Sequence, residues 1–257
     1  FAAGGWLLPG MAVAPAAGNH EYFEEFEDTP QERRVLGRHW PVSFALPGNG
    51  AGAARSTTYW FDYQDLRVVV LDGTSALDLG TAAQQAQWLD GVLTGERPHW
   101  TIVVVHQPLY PLRAERDNTV LAEQLRPVLR RHRVDLVLQG HDHTYGRRAD
   151  EAGDLPQYIS SVAGPKQYRL SEQARATMRP VAEDTQLFQV RRGPRPGACT
   201  TPSRFVVAGA RHGGSPKWPT GALRNVIARA RIRPRGATTA AGSKGCECCD
   251  QWSCCWR

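Results

Sequence analysis

The chain has 257 residues, 41% hydrophobic and 22% charged, with a formal net charge of +6. This length suits one large domain or two small ones, and no apolar run approaches the roughly 20 residues that a bilayer-crossing helix needs. The charge is divided: residues 1–190 hold 18 basic and 23 acidic side chains and no cysteine, whereas residues 191–257 hold 13 basic, 2 acidic and all six cysteines.

From the start, Phe1-Ala2-Ala3-Gly4-Gly5-Trp6 lacks the basic opening and cleavage pattern of a signal peptide, and position 1 is not Met. A short apolar run over residues 11–14 ends at Pro15 and is followed by Gly18-Asn19-His20-Glu21, read as a loop. The acidic stretch over residues 24–28 reads as a solvated face, and residues 47–52 have turn chemistry. Residues 57–63 and 66–71 are rich in strand formers and read as a hairpin, with Asp72 closing the second run as a turn former. Helical spacing predicts a helix over residues 81–93 with Thr81 as its N-cap.

Residues 100–105 read as a buried strand ending at His106. A second helix is predicted over residues 118–131, with Val120, Leu121, Leu125, Val128 and Leu129 on one side and a basic last turn that suits the helix dipole. Residues 134–138 read as a buried strand, and Gly140 after it as the turn that delivers His141 and His143 to the mouth of a sheet. Residues 158–162 and 185–190 are further strands. Strands alternate with helices and each histidine of interest follows a strand, the arrangement of an α/β layered domain whose site forms at the carboxyl ends of its strands.

The candidate ligands are Asn19, His106, His141 and His143, with His20 beside them. Mixed nitrogen and oxygen donors suit zinc, manganese or iron rather than calcium. An isolated histidine after a strand is more often an ordinary packing residue; four such segments, each at a strand end, argue for a shared site. Tyr145 and Arg147 are expected to line the cleft, and Asp142 to shape the turn between the two histidines. His39, His99, His132 and His212 lack ligand context.

With Gly18-Asn19-His20-Glu21, then Val103-Val104-Val105-His106-Gln107-Pro108, then Gly140-His141-Asp142-His143, residues 1–190 resemble the calcineurin-like metallophosphoesterases. The longer strings around Tyr22 and Arg147 are most similar to bacterial purple-acid-phosphatase-like members. The resemblance implies a four-layer α/β/β/α sandwich of two mixed sheets flanked by helices. It implies a phosphoric ester hydrolase, acid-phosphatase-like, acting on a small phosphate ester through two divalent or trivalent ions (Fe, Zn or Mn). Asn19, His106 and His141 would bind the second ion and His143 the first. His20 would act on the substrate phosphate or leaving oxygen, while a water or hydroxide between the ions attacks phosphorus. Export to the periplasm or medium is also implied.

The sequence departs from the family pattern in two places. None of the 17 residues before Gly18 is Asp, Glu or His, so the family's early aspartate ligands are missing. The chain is therefore expected to lack its N-terminal strands. After His106, extra histidines of plant and mammalian members are replaced by residues 111–117, where Arg113 or Arg116 could bind phosphate; a solvated charged loop is the commoner reading. An incomplete fragment with a partial metal site is the alternative to an active hydrolase.

Residues 191–257 are dominated by Arg, Pro, Gly and Ala, and the six cysteines lack the paired spacing of a zinc knuckle. The segment reads best as out-of-frame or disordered sequence. The other readings are a metal-binding knuckle and a basic tail that binds nucleic acid or another anionic surface through its cations.

Overall fold

The computed structural model describes residues 13–149, 156–161, 166–179 and 181–183, and the backbone alone of 185–192 and 204–211. In chain order the elements are β1 (Tyr22–Glu25), β2 (Arg33–Leu36), α1 (His39–Ser43), β3 (Tyr59–Tyr63), β4 (Leu66–Val70), α2 (Gly73–Asp78), α3 (Ala82–Leu93) and β5 (Trp100–Val104). They continue with α4 (Thr119–Arg131), β6 (Leu136–Gln139), β7 (Tyr145–Ala149), β8 (Gln157–Ser160), α5 (Glu172–Thr177), β9 (Val181–Ala182), β10 (Thr185–Arg192) and β11 (Arg204–Arg211).

Seven strands form one mixed sheet in the order β3-β4-β5-β6-β8-β7-β9. The centre, β4-β5-β6-β8, is parallel, and β3 and β7 run against it. Parallel strands buried on both faces need apolar side chains on both, which the valine-rich runs of β4 to β6 supply. On one face Val69, Val103, Val137 and Tyr158 meet Leu89 and Leu93 of α3 and Leu121, Leu125 and Leu129 of α4. On the other, Leu136, Tyr145 and Ile159 form a smaller cluster with Trp100, Ile102 and Leu138. The expected α/β architecture is present as this sheet with its flanking helices. Among the described residues the other sheets have two strands each.

The predicted helices and the hairpin over 57–71 fall where the pattern placed them, with one change in cap chemistry. Thr81 starts α3 without capping it through its side chain. Its hydroxyl instead meets Ser75 Oγ at 2.9 Å and accepts from Gln85 Nε2 at 2.9 Å. Asn118 turns away from the α4 amides and donates from Nδ2 to the Pro108 carbonyl at 2.8 Å, which ties the loop after β5 to the helix.

The acidic stretch over residues 24–28 is largely exposed, as a solvated face should be, and its first two residues also close strand β1. β1 pairs antiparallel with β2, placing Glu24 opposite Arg34 and Glu25 opposite Arg33, and both pairs form salt bridges. Opposite charges directly across a ladder favour the register, although exposed pairs add little stability.

β10 continues past Val190 to Arg192 and pairs antiparallel with β11. Backbone pairing thus crosses the boundary set at residue 190 and enters the segment expected to be unstructured or out of frame. The cysteine cluster lies outside the described residues.

Asp72, fully buried after β4, joins β1 to the sheet. Its Oδ1 accepts from the Ser75 amide at 2.9 Å and caps α2, while Oδ2 accepts from the Tyr22 hydroxyl at 2.5 Å. Gln85 reads both Asp72 backbone groups, with Oε1 accepting from the amide at 2.9 Å and Nε2 donating to the carbonyl at 2.8 Å. Burial pushes the Asp72 carboxyl up, and burial followed by that carboxylate pushes the Tyr22 phenol up. Asp72→Ala uncaps α2 and orphans a buried hydroxyl, and should cost about 2–4 kcal/mol in urea unfolding. Glu24→Ala at an exposed pair should cost less than about 1 kcal/mol.

Candidate metal centre

The candidate residues assemble at the carboxyl ends of adjacent parallel strands. Beyond its last formal pair the ladder continues: Leu71 N donates to Val104 O at 2.8 Å, Val105 N to Leu138 O at 3.0 Å, and Gly140 N to His106 O at 2.9 Å. Asp72, His106 and His141 each lie two residues beyond the end of their strand, so the sheet register sets which side chains become neighbours.

His106 sits between two glycine backbones. A Cβ on Gly18 would come within 3.0 Å of three His106 ring atoms, and one on Gly140 would lie 3.4 Å from His106 Nδ1. The imidazole thus packs directly on the Gly18 backbone. Glu21 Oε2 accepts from the Gly18 amide at 2.8 Å, closing the 3-10 turn Asn19–Glu21 and aiming Asn19 at the histidines.

Gly140 was expected to make the turn, and the structure places that conformation elsewhere. The left-handed residues are His141 (φ 69°) and His143 (φ 51°), a backbone state that costs of order 1–3 kcal/mol for a residue with a side chain. Asp142 between them is fully buried. Its amide donates to Gly140 O at 2.8 Å, and its Oδ2 accepts from the Leu112 amide at 2.6 Å. Asp142 therefore shapes the turn and also fastens the loop after His106 to it.

Three polar atoms converge. Asn19 Oδ1 lies 3.1 Å from His106 Nε2 and 3.1 Å from His141 Nδ1, and the two nitrogens are 3.2 Å apart. Two ligand atoms about 2.0–2.1 Å from one zinc-sized ion lie about 2.9–3.4 Å apart at octahedral to tetrahedral angles. All three edges of this triangle fall in that range, so the donor set fits one ion of the zinc, manganese or iron class. Burial first, then nearby cationic groups including Arg116 and His143, push both imidazoles down to about 4. They are therefore neutral near pH 7 and offer lone pairs rather than protons.

The other candidates stand apart from this triangle. His143 lies at 2.9 Å, through Nδ1, from the Lys166 carbonyl and packs edge-on against Tyr168 at 5.6 Å. His20 is exposed beside Asn19. Arg113 pairs with Glu115 and covers the Tyr168 ring at 3.8 Å. Arg116 Nε lies 3.5 Å from Asp142 Oδ1. Among the described residues no three His, Cys, Asp or Glu side chains converge, and the cluster reaches three donors only through the Asn19 amide oxygen.

Tyr145 and Arg147, expected to line the cleft, are both buried. Tyr145 joins the cluster of Leu136 and Ile159, and Arg147 donates twice to Gln157 Oε1, at 3.1 and 2.9 Å. Residues two apart on a strand share a face, so both lie on one side of β7. Sequence reasoning missed Gln139, whose Oε1 accepts from the Leu109 amide at 2.8 Å and holds the loop after His106. A polar residue closing a buried apolar run was the available signal.

The family model for calcineurin-like phosphoesterases matches residues 3–145. Purple acid phosphatase 17 of Arabidopsis thaliana is 35% identical over 81 residues, covering 32% of this chain and 24% of that protein. The probable purple acid phosphatase 20 of the same plant is 28% identical over 158 residues, covering 55% of this chain and 36% of that protein. Tartrate-resistant acid phosphatase type 5 of Rattus norvegicus is 33% identical over 87 residues, covering 34% of this chain and 26% of that protein. The chain thus spans about a quarter to a third of the length of these relatives. Because the match covers more than half of its residues, this chain belongs to the calcineurin-like phosphoesterase family.

Proposed function

We propose that this chain carries a metal-dependent phosphate-ester hydrolase site, acid-phosphatase-like, with Asn19, His106 and His141 holding one ion. The observation that carries this reading is the triangle of donor atoms with edges of 3.1–3.2 Å. A bound divalent or trivalent ion would polarise a phosphoryl oxygen as a Lewis acid and lower the pKa of water. His106 and His141 remain neutral into the acid range and preserve their lone pairs. Asn19 adds a neutral oxygen whose orientation is set by the Gly18–Glu21 turn. His20, exposed beside the triangle, would meet the substrate phosphate and deliver a proton to the leaving oxygen. The substrate would be a small phosphate monoester.

The residues present do not fit a full second ion position. His143 would be its donor through Nε2, and none of the 17 residues before Gly18 is Asp, Glu or His. This favours, as the second reading, a partial centre that binds one ion without turnover. Metal titration with a chromogenic phosphate ester as substrate separates the two. About one ion per chain with turnover supports the hydrolase; one ion without turnover rejects it in favour of the partial centre.

His141→Ala and His106→Ala should each lower Zn²⁺ or Mn²⁺ affinity by more than the about 10–100-fold that loss of an outer hydrogen bond costs. His143→Ala should leave that ion in place, as read by equilibrium dialysis.

The pH dependence follows from the same two imidazoles. Their folded values of about 4 lie below the usual 6.5, so the unfolded chain takes up protons first. The stability of the metal-free protein should therefore fall as pH drops from about 6.5 towards 4, measured as a declining urea midpoint; bound metal should raise the midpoint near pH 7 but not remove the decline, since it holds the same imidazoles in their neutral form. Unchanged midpoints over that window would show that the imidazoles are not held neutral.

A further inference from the structure

His106 and His141 are placed by the register of the parallel sheet, but Asn19 is not. Asn19 opens the 3-10 turn that leads into β1, and β1 pairs with β2 in a separate two-stranded sheet. Contacts other than strand pairing must therefore hold Asn19 Oδ1 against the two imidazoles.

Helix α2 supplies them through both of its ends. At the N-terminal end, Asp72 caps the helix and accepts from the Tyr22 hydroxyl at 2.5 Å, which holds the residue just after the turn. At the C-terminal end, Asp78 Oδ2 lies 3.3 Å from Arg34 Nε, and Arg34 Nη2 donates to the Asn19 carbonyl at 3.3 Å. An acid in the last turn of a helix opposes the helix dipole, so Asp78 gains little within α2, and its favourable contact is with the cation on β2.

The Arg34 guanidinium joins three elements at this point. Nη1 pairs with Glu24, its cross-strand partner on β1. Nε faces Asp78, and Nη2 meets the Asn19 carbonyl. A planar guanidinium presents its donors in fixed directions, so the two carboxylates that orient it also aim the Nη2 edge at the turn. The Arg34 side chain is 24% exposed against 63% for neighbouring Arg33, so its contacts are better shielded from water. The Asn19 carbonyl also accepts from the Tyr22 amide, and its oxygen has a lone pair for each donor. The peptide that follows Asn19 is thereby fixed from two sides.

We infer that Arg34 is a positioning residue for Asn19 and sets ion affinity through the backbone of the turn. The inference rests on the proposed role of Asn19 as a ligand. It carries a sign that separates it from a charge effect. A guanidinium bonded to the Asn19 carbonyl repels a cation held by the Asn19 side chain. Charge alone predicts that removing Arg34 tightens ion binding, whereas positioning predicts that it weakens.

The test is equilibrium dialysis of Zn²⁺ near pH 7 against the full chain, Arg34→Gln, Arg34→Lys, Asn19→Ala and the double variant carrying Asn19→Ala and Arg34→Gln. Arg34→Gln should weaken Zn²⁺ binding about ten-fold, the low end of what loss of an outer hydrogen bond costs. Arg34→Lys, which keeps the charge and one donor, should bind more tightly than Arg34→Gln. In the Asn19→Ala background, Arg34→Gln should change affinity by less than about two-fold, because the side chain it positions is gone. Equal or tighter binding in Arg34→Gln, tighter binding in Arg34→Gln than in Arg34→Lys, or the same loss with and without the Asn19 amide would overturn the positioning role and leave Asn19 as a ligand. Unchanged affinity in Asn19→Ala would overturn the ligand reading and the positioning role together.

Discussion

The hydrogen bonds that extend the parallel ladder past its strand ends organise the rest of this molecule. Gly140 N reaches His106 O at 2.9 Å, and Val105 N reaches Leu138 O at 3.0 Å. With that register fixed, His106 and His141 must meet, and Asp72 must stand one strand away. Because side chains alternate across a sheet, a one-residue slip between β5 and β6 would send one imidazole to the wrong face. The valines beneath oppose such a slip, since Val103 and Val137 are fully buried against α3 and α4. The packing energy of the core and the geometry of the cluster thus depend on the same pairing.

Around that frame, buried polar side chains position the loops. Asp72 draws Tyr22, and with it the Gly18–Glu21 turn, onto the sheet. Gln139 and Asp142 fasten the loop after His106 through the amides of Leu109 and Leu112. Each of these groups is buried, so each missing hydrogen bond would leave a desolvated atom unpaired. The left-handed backbone at His141 and His143 persists because this net over-determines it.

The sequence disclosed the strands that end in histidine and the two long helices, which depend on local periodicity, and the grouping of Asn19, His106 and His141 came from the family resemblance that short strings carry. It disclosed less where the deciding partner is distant. The Tyr22–Asp72 bond joins residues 50 positions apart, and no local signal in Val70-Leu71-Asp72 announces it. That Tyr145 packs with Ile159 and Arg147 pairs with Gln157 was not legible either, because a strand's period can be read from sequence while its partners depend on tertiary pairing. β1 and β2 were obscured because charged residues on both strands resemble loop chemistry until they are seen paired. Gly140 suggested a turn, but the left-handed backbone falls at His141 and His143, and it is Gly18 that lets a backbone pass close beside the His106 imidazole.

The triangle of donor atoms also bears on folding. Its members are 87 and 122 positions apart along the chain, so no local segment can assemble it. Closing loops of that length costs entropy before any contact compensates, and contacts at such separations form slowly. The cluster can exist only once β5, β6 and the turn before β1 are mutually docked. An ion captured there would act as a late clasp, favouring the fully assembled chain over partly folded forms by mass action.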